Sequence, residues 1–119
     1  MLASHLARGA IILILGLGPA AAEDPETLRQ ALSGATVVGA WNGTPYRQTF
    51  GEDGSTTYVE GGRPSFGSWR IADDGDYCSV WPPAPSENCY GVELEPDGAL
   101  TWITPGGARQ DARILAGAN

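Results

Sequence analysis

Chemistry in a protein domain starts from side chains that can move protons, attack bonds or hold ions, and this sequence has few of them. Its only histidine is His5, and its seven basic residues are all arginine. His5 and Arg8 precede an apolar run over residues 10–17, followed by Gly18-Pro19 and the small residues Ala20-Ala21-Ala22. That order is the pattern of a secretory signal peptide cleaved after Ala22. The run is about half of the roughly 18–20 apolar residues that a membrane span requires, so no stable membrane insertion is expected once it is removed. His5 would leave with it. The remaining chain then lacks the usual base near neutral pH and the commonest metal ligand. Ser-His-Asp and Cys-His arrangements, lysine nucleophiles and histidine-based zinc or iron sites are therefore excluded.

Carboxylates are the chemistry that is left. The chain has 14 Asp and Glu residues, and losing Arg8 takes the formal net charge from −7 to −8. Glu93 with Glu95, on one face of an expected strand, and Glu52 with Asp53 have the residue types of a glycosidase acid and base. Fourteen carboxylates in a small domain produce such pairs by chance, and each is better explained as surface charge that keeps it soluble. The turn Asp73-Asp74-Gly75-Asp76 offers oxygens to a calcium ion, yet it lacks the spacing and the terminal Glu of an EF-hand loop and reads as a solvated hairpin turn. No metal site is expected. With no Gly-rich phosphate loop or dinucleotide fingerprint, no cofactor is expected either. The arginines left after cleavage are scattered, and the acidic balance opposes nucleic acid and anionic membranes as partners.

Cys78 and Cys89 are the only cysteines. In an exported protein such an even pair reads as a disulfide. Closing a loop of about 12 residues is worth roughly 3 kcal/mol in the chain-entropy account. A redox pair would usually show Cys-x-x-Cys, and two thiolates without other soft ligands rarely hold a metal. Between them lie Pro82, Pro83 and Pro85, with Trp81 and Tyr90 at the base of the loop. A stiffened loop with aromatic anchors suits recognition, which makes Trp81, Pro82, Pro83, Pro85 and Tyr90 candidate binding residues. The plainer alternative is a stabilised hairpin connection. The four Trp and four Tyr residues also have two readings, as the core of a domain poor in large aliphatics or as the lining of an apolar or sugar-stacking pocket at a barrel mouth.

The elements that must position these groups are mostly strands. Asp24-Pro25-Glu26, residues 27–33 and then Gly34 supply an N-cap, proline at the first helical position, an acidic first turn and a glycine stop, so one short helix is expected, packed through Leu28 and Leu32. After it come short segments rich in Val, Thr, Tyr, Phe and Trp, at residues 36–41, 46–50, 55–60, 65–72, 77–81, 89–94, 100–104 and 108–115. Turn-forming pairs such as Asn42-Gly43, Gly61-Gly62 and Asp74-Gly75 separate them. Asn42-Gly43-Thr44 also matches a glycosylation acceptor. The expected fold is mainly β, an antiparallel meander of about eight short strands with one short N-terminal helix, closed into a barrel or folded as a sandwich, with the barrel favoured. Alternation assigns Tyr46, Phe50, Trp69, Ile71, Tyr90, Val92, Leu94, Leu100 and Trp102 to the core.

Phe50-x-x-Asp53-Gly54, Gly67-Ser68-Trp69-x-Ile71, Tyr77-Cys78-Ser79-Val80-Trp81 and Cys89-Tyr90 resemble small exported bacterial proteins of an uncharacterised family. The resemblance spans about residues 34–104 and implies a small periplasmic β domain carrying the disulfide. It brings no catalytic residues. The expected organisation is a signal peptide over residues 1–22, a short helix within 23–34 and a single β domain over 35–119. The expected function is that of a periplasmic or secreted, monomeric, non-catalytic binding module with an envelope protein or a small ligand as partner. The alternatives are a carboxylate-only, glycosidase-like hydrolase and a structural envelope component.

Overall fold

The computed structural model describes residues 23–115, so the signal-peptide reading of residues 1–22 lies outside the described residues. The first element is a helix, α1, over Pro25–Leu32. Asp24 caps it by accepting from the Thr27 backbone N–H at 3.0 Å, Pro25 opens the first turn, and Gly34 at φ +79° takes the chain out of it. Leu28 and Leu32, one helical turn apart, are both fully buried.

Eight antiparallel strands follow: β1 Thr36–Trp41, β2 Thr44–Phe50, β3 Ser55–Glu60, β4 Arg63–Ile71, β5 Tyr77–Val80, β6 Glu87–Leu94, β7 Ala99–Ile103 and β8 Arg109–Ile114. Each pairs with the next, and β8 returns to β1, closing a barrel. Of the two closures open to a meander, the chain adopts the barrel. The seam runs through Val37↔Ile114 and Gly39↔Ala112. A Cβ at Gly39 would stand 2.9 Å from Ala112 Cβ and 3.0 Å from the Asp111 carbonyl oxygen, so the close approach of β1 and β8 requires glycine there.

Strands β2, β4 and β6 begin two residues earlier than the turn chemistry suggests, and Pro45 and Pro64 fall inside ladders. Both prolines sit next to two-residue hairpin turns, opposite Ala40 and Val59. At a strand end the missing N–H costs the ladder little.

The two ends of the barrel differ. At one end α1 lies across the opening: the Gly34 N–H donates to the Phe50 carbonyl at 2.7 Å, Arg29 Nη2 to the Ile71 carbonyl at 3.2 Å, and the Leu94 N–H to Glu23 Oε2 at 3.1 Å. Leu28 and Leu32 fill that half together with Val37, Phe50, Ile71, Val92 and Leu100. Each such burial stabilises by about 1.5–3 kcal/mol. The opposite end, bordered by the β1–β2, β3–β4, β5–β6 and β7–β8 turns, has no helix over it among the described residues. The outer wall is charged, with Arg70 bonded to Glu87 and Arg109 to Glu93. No described helix is long and apolar enough to cross a membrane.

Candidate functional site

Inward alternation along the strands brings Trp41, Tyr46, Gln48, Tyr58, Ser65, Tyr77, Ser79, Trp81, Asn88, Tyr90 and Trp102 around one cavity in the half of the barrel away from α1. Its volume is about 290 Å³ and it opens at the mouth. Eight strands give an interior just wide enough to be filled by side chains or to hold one small ligand. Here the half under α1 is filled and the half at the mouth is hollow.

Seven of the eight Trp and Tyr rings border the cavity, and Trp69 is the exception, donating its Nε1–H to the Gly51 carbonyl at 3.0 Å on the α1 side. Trp41 and Tyr90 meet at 87° with centroids 5.6 Å apart, and Tyr58 and Trp81 at 75° and 6.1 Å. Tyr46 and Tyr58 stack at 4.9 Å and 19°. Such contacts add to the area that each ring buries.

Polar atoms among these rings are tied to one another. Trp102 Nε1–H donates to the Tyr46 hydroxyl at 2.9 Å, Trp81 Nε1–H to Ser79 Oγ at 3.0 Å, and Gln48 Nε2 to both Thr56 Oγ1 at 2.9 Å and the Tyr77 hydroxyl at 3.1 Å. Burial raises the pKa of Tyr46, opposed by the Trp102 donor. Tyr77 is also raised by burial, against donors from Ser79 and Gln48. The Tyr58 phenol is pushed up to about 12, by burial first and then by the Glu60 carboxylate beside it. All three therefore stay neutral hydroxyls near neutral pH.

The candidate residues divide. Trp81 and Tyr90 line the cavity, whereas Pro82, Pro83 and Pro85 sit in the exposed β5–β6 loop outside the lining. Trp81 turns inward because β4 makes room for it at Gly67, where any Cβ would run into the indole. The Cys78–Cys89 disulfide joins directly opposed residues of β5 and β6 on the outer wall. A Glu87 carboxylate oxygen lies within 4.8 Å of both sulfurs and is bonded to Arg70, so the ion pair covers the bridge.

The carboxylate pairs lie elsewhere. Glu93 is on the outer wall with Arg109, Glu95 closes the β6–β7 turn, and Glu52 and Asp53 sit in the β2–β3 turn near α1. Asp73, Asp74 and Asp76 form the β4–β5 hairpin turn, where Asp74 Oδ1 accepts from the Asp76 N–H at 3.0 Å. Asn42 and Gly43, at φ 49° and 87°, make the β1–β2 turn.

Sequence reasoning did not single out Gln48, Ser65, Ser79 or Asn88. One signal for Gln48 was on view: a polar residue on the same strand face as Tyr46 and Phe50, 5% exposed in the folded barrel. Set against known proteins, the chain matches no protein-family model and no curated protein sequence.

Proposed function

We propose that this chain is an extracytoplasmic, non-catalytic binding module that holds one small organic ligand in the mouth of its barrel. A single observation carries the reading: seven Trp and Tyr rings surround an open cavity of about 290 Å³, with neutral hydroxyl and amide groups between them. Small-molecule sites are typically concave and mostly apolar, with a few placed polar groups and volumes of about 300–1,000 Å³. This one belongs at the compact end. The cavity supports a ligand rather than a protein partner, because Trp81, whose projection would favour protein recognition, folds into the cavity. The hydrolase alternative has its carboxylate pairs on the outer wall and in turns. A disulfide and a leader-like N-terminus support an extracytoplasmic location.

Thermal-shift and tryptophan-fluorescence titration against a library of small organic compounds tests the reading. A ligand at 100 times its Kd adds about 2.7 kcal/mol of stability, a shift easily read in a domain of this size. Saturable one-to-one binding that weakens in Trp41→Leu and is unchanged in Phe66→Ser, on the outer wall, is the expected result. No saturable binder, or binding untouched by Trp41→Leu, overturns it.

A further inference from the structure

An anion would meet no cationic side chain in the lining of the barrel mouth. Among the described residues the lining holds no Arg, the indole N–H groups of Trp81 and Trp102 are engaged by Ser79 and Tyr46, and Trp41 Nε1–H and the Asn88 amide are the N–H donors left in it. Both Gln48 Nε2 hydrogens go to Thr56 and Tyr77, leaving the amide its carbonyl oxygen. What the cavity mainly presents is electron-rich: seven aromatic rings, with the negative quadrupole of their faces, and hydroxyl and amide oxygens. Glu60 stands beside Tyr58 at the mouth end of β3. Arg63, its opposite number across the β3–β4 hairpin, is exposed and outside the lining. A net charge of −7 over the whole chain draws cations towards it.

Ring geometry restricts the shape of the occupant. A flat molecule sandwiched between two rings would need them parallel with a gap, but Tyr46 and Tyr58 are already in stacking contact at 4.9 Å, and Tyr77 and Tyr90, 6.5 Å apart, are tilted at 36°. The pairs Trp41–Tyr90 and Tyr58–Trp81 stand nearly perpendicular, at 87° and 75°. Rings at right angles border a rounded group on two sides. A primary ammonium is small and strongly hydrated, and it needs acceptors for three N–H bonds. A fully alkylated ammonium has no N–H to satisfy, sheds water readily, and offers methyl groups carrying diffuse positive charge to ring faces.

On these grounds, which rest on the ligand-binding reading, we propose that the barrel mouth is an aromatic cage for a fully alkylated ammonium group, the head of a small organic cation. The test is calorimetric titration of the disulfide-bonded protein with tetramethylammonium, choline and benzyltrimethylammonium. Each is set beside its uncharged carbon isostere, such as 3,3-dimethylbutanol for choline, and all are repeated in molar sodium chloride. At least one cation should bind about tenfold tighter than its isostere, the size expected of cation–π contact in a desolvated site. The preference should survive high salt and fall about tenfold in Trp41→Leu or Trp81→Leu. Trp41→Phe and Trp81→Phe, which keep a ring and spare the fold, should lose less.

An isostere that binds as tightly as its cation overturns the cage and leaves the ligand-binding reading standing. Cation binding that vanishes in salt and ignores the tryptophan variants is attraction to an acidic surface, and it overturns the cage too. If neither the cations nor any compound of the library binds, both readings fall.

Discussion

Gly67→Ala adds one methyl group at the place where the mouth is built. A Cβ there overlaps the Val80 carbonyl oxygen and comes within 2.8 Å of Trp81 Cε3 and 2.9 Å of Cδ2. The indole would have to retreat by about 0.7 Å to reach an ordinary carbon contact of about 3.5 Å. The carbonyl is backbone in the β4–β5 ladder and cannot swing aside. Ser68↔Val80 is the last pair of that ladder at the mouth, so the strands should part there. Overpacking of this kind costs about 1–3 kcal/mol, and a frayed ladder bond about 1 kcal/mol more. Restricting the unfolded chain returns up to about 1 kcal/mol.

The net loss of about 2–3 kcal/mol corresponds to a fall in Tm of about 10–20 °C for a domain of this size. Thermal unfolding followed by circular dichroism reads it directly. Gly91→Ala is the matched control, because the nearest atom to its Cβ is Ile103 Cβ at 3.4 Å and neither glycine has a left-handed backbone. Its Tm should stay unchanged or rise slightly. A Gly67→Ala protein melting within about 3 °C of the native one, or no lower than Gly91→Ala, would show that Gly67 does not seat Trp81.

Leu28→Ala, at a fully buried position of α1, should cost about 2–5 kcal/mol in denaturant unfolding, whereas exposed Gln30→Ala should stay within about 0.5 kcal/mol. Replacing both Cys78 and Cys89 by Ala should lower stability by about 3 kcal/mol, as expected for a cross-link at a sequence separation of 11. The far-ultraviolet spectrum should stay native, since the ladder pairs Ser79↔Asn88 and Val80↔Glu87 remain on the loop side of the bridge. With Tyr58 raised to about 12, the unfolded chain loses its phenolic proton near pH 10, before the folded one does. Stability should therefore be full below about pH 10 and fall between there and pH 12. Tyr58→Phe should flatten that fall in urea titrations without removing it, because Tyr46 and Tyr77 are raised as well; an unchanged profile would contradict the assignment.

The framework was legible in the sequence because its signals are local. Asp24, Pro25 and Gly34 bound the helix, and glycine-containing turns make six of the seven connections between strands, the proline-rich β5–β6 loop being the exception. Period-two alternation placed Phe50, Ile71, Val92, Leu100 and Trp102 inside, and they are buried. Alternation tells inside from outside but not height along the barrel. Height follows from the stagger of every ladder up to the Val37↔Ile114 seam, which no short stretch of chain encodes. Hence Phe50 lies in the filled half while Tyr46, on the same face of β2, borders the cavity. The inward turn of Trp81 was hidden for a related reason. Proline follows it, which suggests a projecting loop, and the space that admits it belongs to Gly67 on another strand.

A hollow of this size in a small barrel calls for a reason why it does not collapse, since protein interiors pack to crystal-like density. The rings around it are stiff, with few torsions each, and several are tethered by the atoms that would have to move. Trp102 could drop inward only by leaving the Tyr46 hydroxyl, Tyr77 by leaving Gln48, and Trp81 by leaving Ser79. Abandoning a buried partner costs about 1–3 kcal/mol, comparable with what filling part of the void would return. β4 widens the space further, offering Ser65 and Gly67 where its neighbours offer Tyr58 and Trp81. In the other half the inward side chains are mostly aliphatic, and Leu28 and Leu32 of α1 pack onto them directly. The division of the barrel into a solid half and an open one thus follows from where its few inward polar groups stand, and those groups also leave the mouth electron-rich.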